Sequence, residues 1–440
     1  MRRPERPLAL ALLVLAGCTD PVAPQTASDV VAAPAPVATT DAVVTRDDAA
    51  GSAETAAIAK VLAEVAAARQ LPPKNPVQGE RLARDRVIDL IMDKAERDLP
   101  KGVLDAQGDL LRGLGLVPAD YDFVGGIYEL IRKNVAGFYD DDHKRMYLLD
   151  DLPGPVERET LVHELEHALQ DQHFDLAGMI TYKRGEADRI TAAHALAEGD
   201  AMATMFQVTM GSADALTVKE LRIAMVASVA FTEGGSATPR VLQASLIAPY
   251  VDGFRFILAQ RNKGGWTAVD EAFRRPPTTT EQLLHDDKYE AAEPAVAVPA
   301  PKPPEGEGWL ERDADVLGEQ GLRLVLEQWS SNDEAATAAA GWGGDRYAVH
   351  HRSRANGDEE IASGWLMVFD SAKDAAEAAT LIAKTQPPCA ERANLGPLAW
   401  RRDGERLAVV AGPFLRRKDG TVVAAGNCAA AEARAARLMR

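Results

Sequence analysis

Apolar residues three and four positions apart dominate the first two thirds of this chain, and that period predicts amphipathic helices. The pattern covers 56–69, 78–98, 104–114 and 123–133. Two short runs at 135–139 and 145–149 lack it and predict strands, parted by the turn signal Asp140-Asp141-Asp142. Helical periodicity returns at 157–172, with Pro155 just ahead in a position that suits a helix start. Further helices are expected at 185–210 and 216–231, and a Pro/Thr-rich loop at 276–280 leads into a short one at 281–285.

From about residue 290 the pattern changes. The stretch 290–308 is rich in Ala and Pro and reads as a linker. Beyond it a helix at 313–329 is followed by strand candidates at 345–352, 365–369, 398–402 and 406–411. The pair Asp403-Gly404 between the last two is a hairpin signal. Helices at 372–384 and 429–438 complete the expected unit. The fold class is therefore α+β: a mainly helical domain with a small sheet over 54–289, then a smaller α+β domain over 309–440. No catalytic constellation is visible in the second.

The N-terminus carries chemistry of another kind. Arg2, Arg3 and Arg6 precede an apolar run from Leu8 to Leu15, too short to span a bilayer, which reads as an export signal. The string Leu15-Ala16-Gly17-Cys18 resembles the lipobox of bacterial lipoproteins. That resemblance implies loss of 1–17, acylation of Cys18 and an anchor in the cell envelope. Thr19 after the cysteine implies the outer membrane where there are two. Residues 18–53, rich in Ala, Pro, Val, Thr and Asp without periodicity, are expected to form a disordered tether. In an exported chain the two remaining cysteines, Cys389 and Cys428, are expected to form a disulfide. The 66 acidic against 49 basic residues leave a net charge of −17, which argues against nucleic acid as a partner.

Within the 157–172 helix stands His163-Glu164-Leu165-Glu166-His167. Residues four apart lie about 40° apart around a helix, so both imidazoles can reach one ion. Glu164, roughly 100° round from His163, is placed to take a proton from a water that zinc has acidified. Two residues compete as third ligand. His173 lies six positions after His167, but Gln170 stands where the chain would need glycine to turn back, and 168–172 lets a helix continue. Glu198 lies 198 − 167 = 31 residues on, among Ala195, Ala197, Gly199 and Ala201, whose small size lets its helix pack close. A buried, unpaired glutamate there would be costly. Glu198 is the preferred ligand.

This arrangement resembles the gluzincins, the thermolysin-like division of zinc peptidases. The block from His163 to Leu176, the Glu198-Gly199-Asp200-Ala201 string, Gly137-Phe138-Tyr139 and 280–285 are similar to a group of bacterial envelope proteins related to that division. The resemblance covers about 120–290, with a weaker echo at 341–347. It implies a zincin-like domain with zinc on His163, His167 and Glu198, Glu164 as base, and a peptide or protein substrate. Thermolysin has an Asp four residues after its ligand Glu, holding a zinc-bound His; here Met202 occupies that position. Asp171 or Asp200 is the expected replacement; His194 is a candidate to line the cleft and His285 to donate to the oxyanion, each set against a purely structural place, and 145–149 is the candidate edge along which a peptide pairs. The rival expectation is a non-catalytic envelope scaffold with a structural zinc, in which Glu164 would have no task.

Overall fold

The computed structural model describes residues 47–233 and 238–440. The export signal, Cys18 and most of the expected tether lie outside the described residues. A helix already runs from Asp47 to Arg69 and takes in the last seven residues of the expected tether.

Three short strands form the first sheet: β1 (Gln78–Leu82), β2 (Gly137–Asp140) and β3 (Arg145–Leu149), in the order β1-β3-β2. The parallel partner of β3 is β1, the antiparallel one β2. The helix Gly154–Phe174, called here the motif helix, packs against β2 and β3. It is buried continuously from Thr160 to Asp171. Its other neighbours are the Asp47–Arg69 helix and a second buried helix, Ala187–Met210, called the ligand helix. A helix apolar on every side belongs in a core, and the alanines of 192–203 fit that place. A third long helix, Arg240–Arg274, lies along the ligand helix and breaks its helical angles only at Gly264 and Gly265.

The second sheet has seven strands: β4 (Leu310–Asp315), β5 (Trp342–Ser353), β6 (Glu359–Phe369), β7 (Cys389–Arg392), β8 (Gly396–Asp403), β9 (Arg406–Arg416) and β10 (Val422–Ala424). Their order is β4-β5-β6-β9-β8-β7 with β10 on β9, and every pairing is antiparallel. The disulfide Cys389–Cys428 joins β7 to the helix Cys428–Leu438. The chain is thus α+β, with a small mixed sheet and a larger antiparallel one. One apolar cluster runs through both parts, from Ile58 through Leu165 to Phe414.

Several expectations are corrected. Residues 78–98 are not one helix: Gln78–Leu82 pairs with β3, and the helix is Arg84–Asp98. The backbone of 78–82 completes its hydrogen bonds across the sheet, which outweighs local helical preference. The strand at 145–149 is the middle one and not an edge; among the described residues the edges are β1 and β2. Residues 313–329 divide into β4, which ends at Asp315, and the helix Gly318–Leu326, with Val316 and Leu317 between them. The Arg240–Arg274 helix was not expected at all. The Ala/Pro-rich stretch has no helix or strand beyond Ala291, yet Val296 N–H bonds the Gly343 carbonyl and Arg434 holds the carbonyl of Lys302. It lies against the second sheet as a strap.

Candidate metal centre

Pro155 opens the motif helix, whose i, i+4 spacing brings the His163 and His167 rings edge to face with centroids 4.9 Å apart. The ligand helix supplies Glu198. Its Oε2 lies 3.1 Å from His163 Nε2 and 3.6 Å from His167 Nε2. The three ligand atoms fall within 4.8 Å of one another. All three residues are buried, none more than 6% exposed. Small residues let the ligand helix pack close to the long helix. At Gly199 the ligand helix meets the long helix at Gly253 so closely that a Cβ on Gly253 would stand 1.7 Å from the Ala195 carbonyl oxygen.

Within the group the carboxylate is held ionised by the imidazoles around it. Burial works to protonate Glu198, but the His167 charge and three imidazole hydrogen bonds hold its carboxyl well below the ordinary value. Burial likewise works against a charged His167, but the neighbouring Glu198 carboxylate pushes it up to about 9. A carboxylate that stays ionised in the core demands positive charge beside it. Two imidazole nitrogens and one carboxylate oxygen form a donor set that zinc accepts, with a coordination position left over. The residues present therefore fit the metal the sequence implies.

The groups around the ligands differ from those expected. Gln170 Oε1 accepts from His167 Nδ1 at 2.8 Å. Its Nε2 donates to the Ala197 carbonyl at 3.0 Å and to Asp200 Oδ2 at 3.2 Å. With two acceptors facing Nε2, the amide has one sensible orientation, and it leaves His167 Nε2 toward the ligand group. Asp200 in turn binds Arg69 Nε at 2.8 Å, in a buried cluster with Glu166 and Asp270. Burial and the charge of Asp200 push Glu166 well above the ordinary carboxylic value. Asp200 thus acts on the ligand through Gln170. Asp171 faces the other way, holding Tyr139 Oη at 3.0 Å and Lys144 Nζ at 2.5 Å.

His194, one turn before Glu198, places Nε2 2.9 Å from Glu198 Oε1. The two oxygens of Glu198 are therefore divided, Oε2 toward the convergent histidines and Oε1 toward His194. His194 Nδ1 is buried and has no hydrogen-bond partner among the described residues. Glu164 is 1% exposed, and its Oε2 accepts from the Tyr139 N–H of β2 at 2.8 Å. His173 is on the last turn of the unbroken motif helix, and its Nε2 donates to the Pro72 carbonyl at 2.8 Å.

The comparisons with known proteins concern the other end of the chain. A family model described as a domain of unknown function (DUF8575) matches residues 308–435. No curated protein and no solved structure matches the chain.

His285 belongs to the seam with this DUF8575 region. Its Nε2 lies 2.9 Å from Glu319 Oε1, and that hydrogen bond, against burial, raises its pKa. It lies outside the group of three convergent ligands. Two other carboxylate groups converge, Asp140-Asp141-Asp142 and Glu281-Glu293-Asp370. Each already holds a lysine: Lys94 Nζ lies 2.9 Å from Asp141 and 2.7 Å from Asp142, and Lys288 Nζ lies 2.5 Å from Glu293 and 2.8 Å from Asp370. Sequence reasoning missed Gln170, Arg69 and Tyr250, whose buried ring is 6.1 Å from that of His163. Only Gln170 had a visible signal, a polar residue three positions after a ligand on a buried helix.

Proposed function

We propose that this protein is a zinc-dependent peptidase of gluzincin-like, zincin-type architecture, held at the cell envelope by a lipid on Cys18. The observation that carries this reading is the convergence of His163, His167 and Glu198 in the core, with Glu164 on the same helix. Zinc bound there would supply Lewis acidity to a water and to the carbonyl of a peptide bond. Glu164 accepts the water's proton and later returns it to the leaving amine. The Tyr139 N–H on Glu164 Oε2 fixes the carboxylate on the β2 side. As an edge strand beside the site, β2 offers the backbone groups along which an extended substrate can align.

The test is to purify the protein, measure zinc stoichiometry and assay a general protease substrate with Glu164→Gln beside the wild type. The expected result is one zinc per chain in both, with hydrolysis lost by 10³-fold or more, on the order of 4 kcal/mol, in the variant. Absence of bound zinc, or hydrolysis indifferent to the substitution, overturns the reading. The near-complete burial of all three ligands favours a second reading, a scaffold with a structural zinc. Full zinc occupancy with no cleavage across a broad peptide library supports that one.

A further inference from the structure

Two sets of contacts between the DUF8575 region and the rest of the chain fall at the roots of the metal centre. Its helix Gly318–Leu326 presents Arg323 and Gln320 to Asp252 of the long helix. Arg323 Nη1 and Nη2 donate to Asp252 Oδ1 at 3.1 Å and Oδ2 at 2.5 Å, and Gln320 Nε2 donates to Oδ2 at 2.7 Å. All three residues are buried. Such a bidentate pair fixes direction as well as distance. Asp252 directly precedes Gly253, the point where the long helix touches the backbone of Ala195 and Gly199. Gly199 directly follows Glu198. Two residues before Asp252 on the same helix stands Tyr250, which packs near His163.

A second fastening acts on the start of the ligand helix. That helix has no side-chain cap of its own at Glu186. Asp315, the last residue of β4, supplies one from 128 positions away, accepting from Gly185 N and Ala187 N at 3.0 Å each. Asp188 in the first turn accepts from Thr280 Oγ1 at 2.5 Å, and Thr280 Oγ1 accepts in turn from Gln320 N at 3.1 Å. The ligand helix is thus gripped at its first turn and, through the long helix, beside Glu198.

We infer that the DUF8575 region is a working part of the metal centre and not an appended module, because Arg323 and Asp315 set the position of the helix that carries Glu198. This rests on the zinc reading. The physical reason is tolerance: a metal ligand must lie within about 0.2 Å of its ideal distance. A small rotation or slide of the ligand helix exceeds that and leaves the core otherwise packed.

The experiment uses the full chain and reads two quantities separately. Zinc affinity is measured by competition with a chelator, and stability by thermal unfolding in excess EDTA. Arg323→Gln and Asp315→Ala are each expected to weaken zinc binding by about tenfold or more, the effect typical of groups that orient a ligand. Arg323→Lys, which keeps one charged contact, recovers part of the loss. Ile382→Ala, in the buried face of the distant helix Ala372–Ala383, lowers the melting temperature and leaves zinc affinity at the wild-type value. Folded Arg323→Gln and Asp315→Ala with wild-type affinity overturn the inference, as does an equal loss in Ile382→Ala. If Arg323→Gln does not fold, Asp315→Ala and Arg323→Lys decide by the same readout. A wild-type chain that binds no zinc overturns the metal reading and this inference with it, whereas zinc-binding wild type beside unaffected variants overturns the inference alone.

Discussion

Gln170 is the residue whose role the sequence conceals best. It follows His167 by three positions, and along the sequence it only lets a helix continue. In the fold its amide joins the His167 ring to Asp200 and, beyond it, to Arg69. Gln170→Leu keeps the size and helix preference but removes the acceptor from His167 Nδ1 and strands a buried donor. We expect zinc affinity to fall about 10- to 100-fold with little change in far-ultraviolet circular dichroism, measured by chelator competition. Unchanged affinity would show that packing alone orients His167. By contrast His163, Glu164 and His167 were legible from sequence because their relation is one-dimensional, the period of a single helix. Glu198 was legible from its small neighbours and from the cost of burying it alone. The partner of His285 was not legible, since Glu319 is 34 residues away on an element whose packing no local pattern reveals.

At the scale of elements, the helices whose apolar period serves one core and the strands with an apolar run of their own were legible, and strands that only pairing defines, such as β1, were not. Residues 78–82 carry a helix-compatible pattern, and only the register with 145–149 makes them a strand. The long helix escaped notice for a different reason: Pro249 lies inside it, and a proline reads as a break. Its most consequential residue is Gly253. Helix propensity alone says that Gly253→Ala stabilises by about 1 kcal/mol. The crossing says the reverse, since the added Cβ would stand 1.7 Å from the Ala195 carbonyl oxygen and 3.0 Å from Gly199 N, backbone atoms that cannot turn aside. Contact wins at such distances. Gly253→Ala should cost about 2 kcal/mol or more in urea unfolding of the metal-free protein, because overpacking of 1–3 kcal/mol is typical where neighbours can still adjust. A gain in stability would mean that the two helices do not cross as closely as described.

The molecule as a whole is joined by buried acids, and this makes its stability depend on pH in a defined direction. At the seam, burial pushes Asp188 from an ordinary 3.8 up to about 7, against the hydrogen bonds from Thr280, with Asp345 and Glu319 adding to the rise. Burial pushes the nearby Glu281 from 4.5 up to about 7 as well, against the pull of Lys288. An acid whose folded value lies above its unfolded one binds its proton more tightly in the folded state. Its contribution is fully present below about pH 4 and is lost as pH rises through 7, where the buried group must carry charge. Metal-free protein should therefore lose stability between pH 5 and pH 8. His167, raised to about 9, acts in the same direction at higher pH, so the wild-type profile alone does not isolate the seam. Asp188→Asn does. The amide oxygen still accepts from Thr280 but never ionises, so the variant should gain on the wild type steadily from pH 5 to pH 8 in melting temperature measured in EDTA. A difference between the two that stays constant over that range would mean that Asp188 is ionised in the fold at pH 5 already, and that its two Thr280 hydrogen bonds suffice to hold a bare charge between the two halves of the chain.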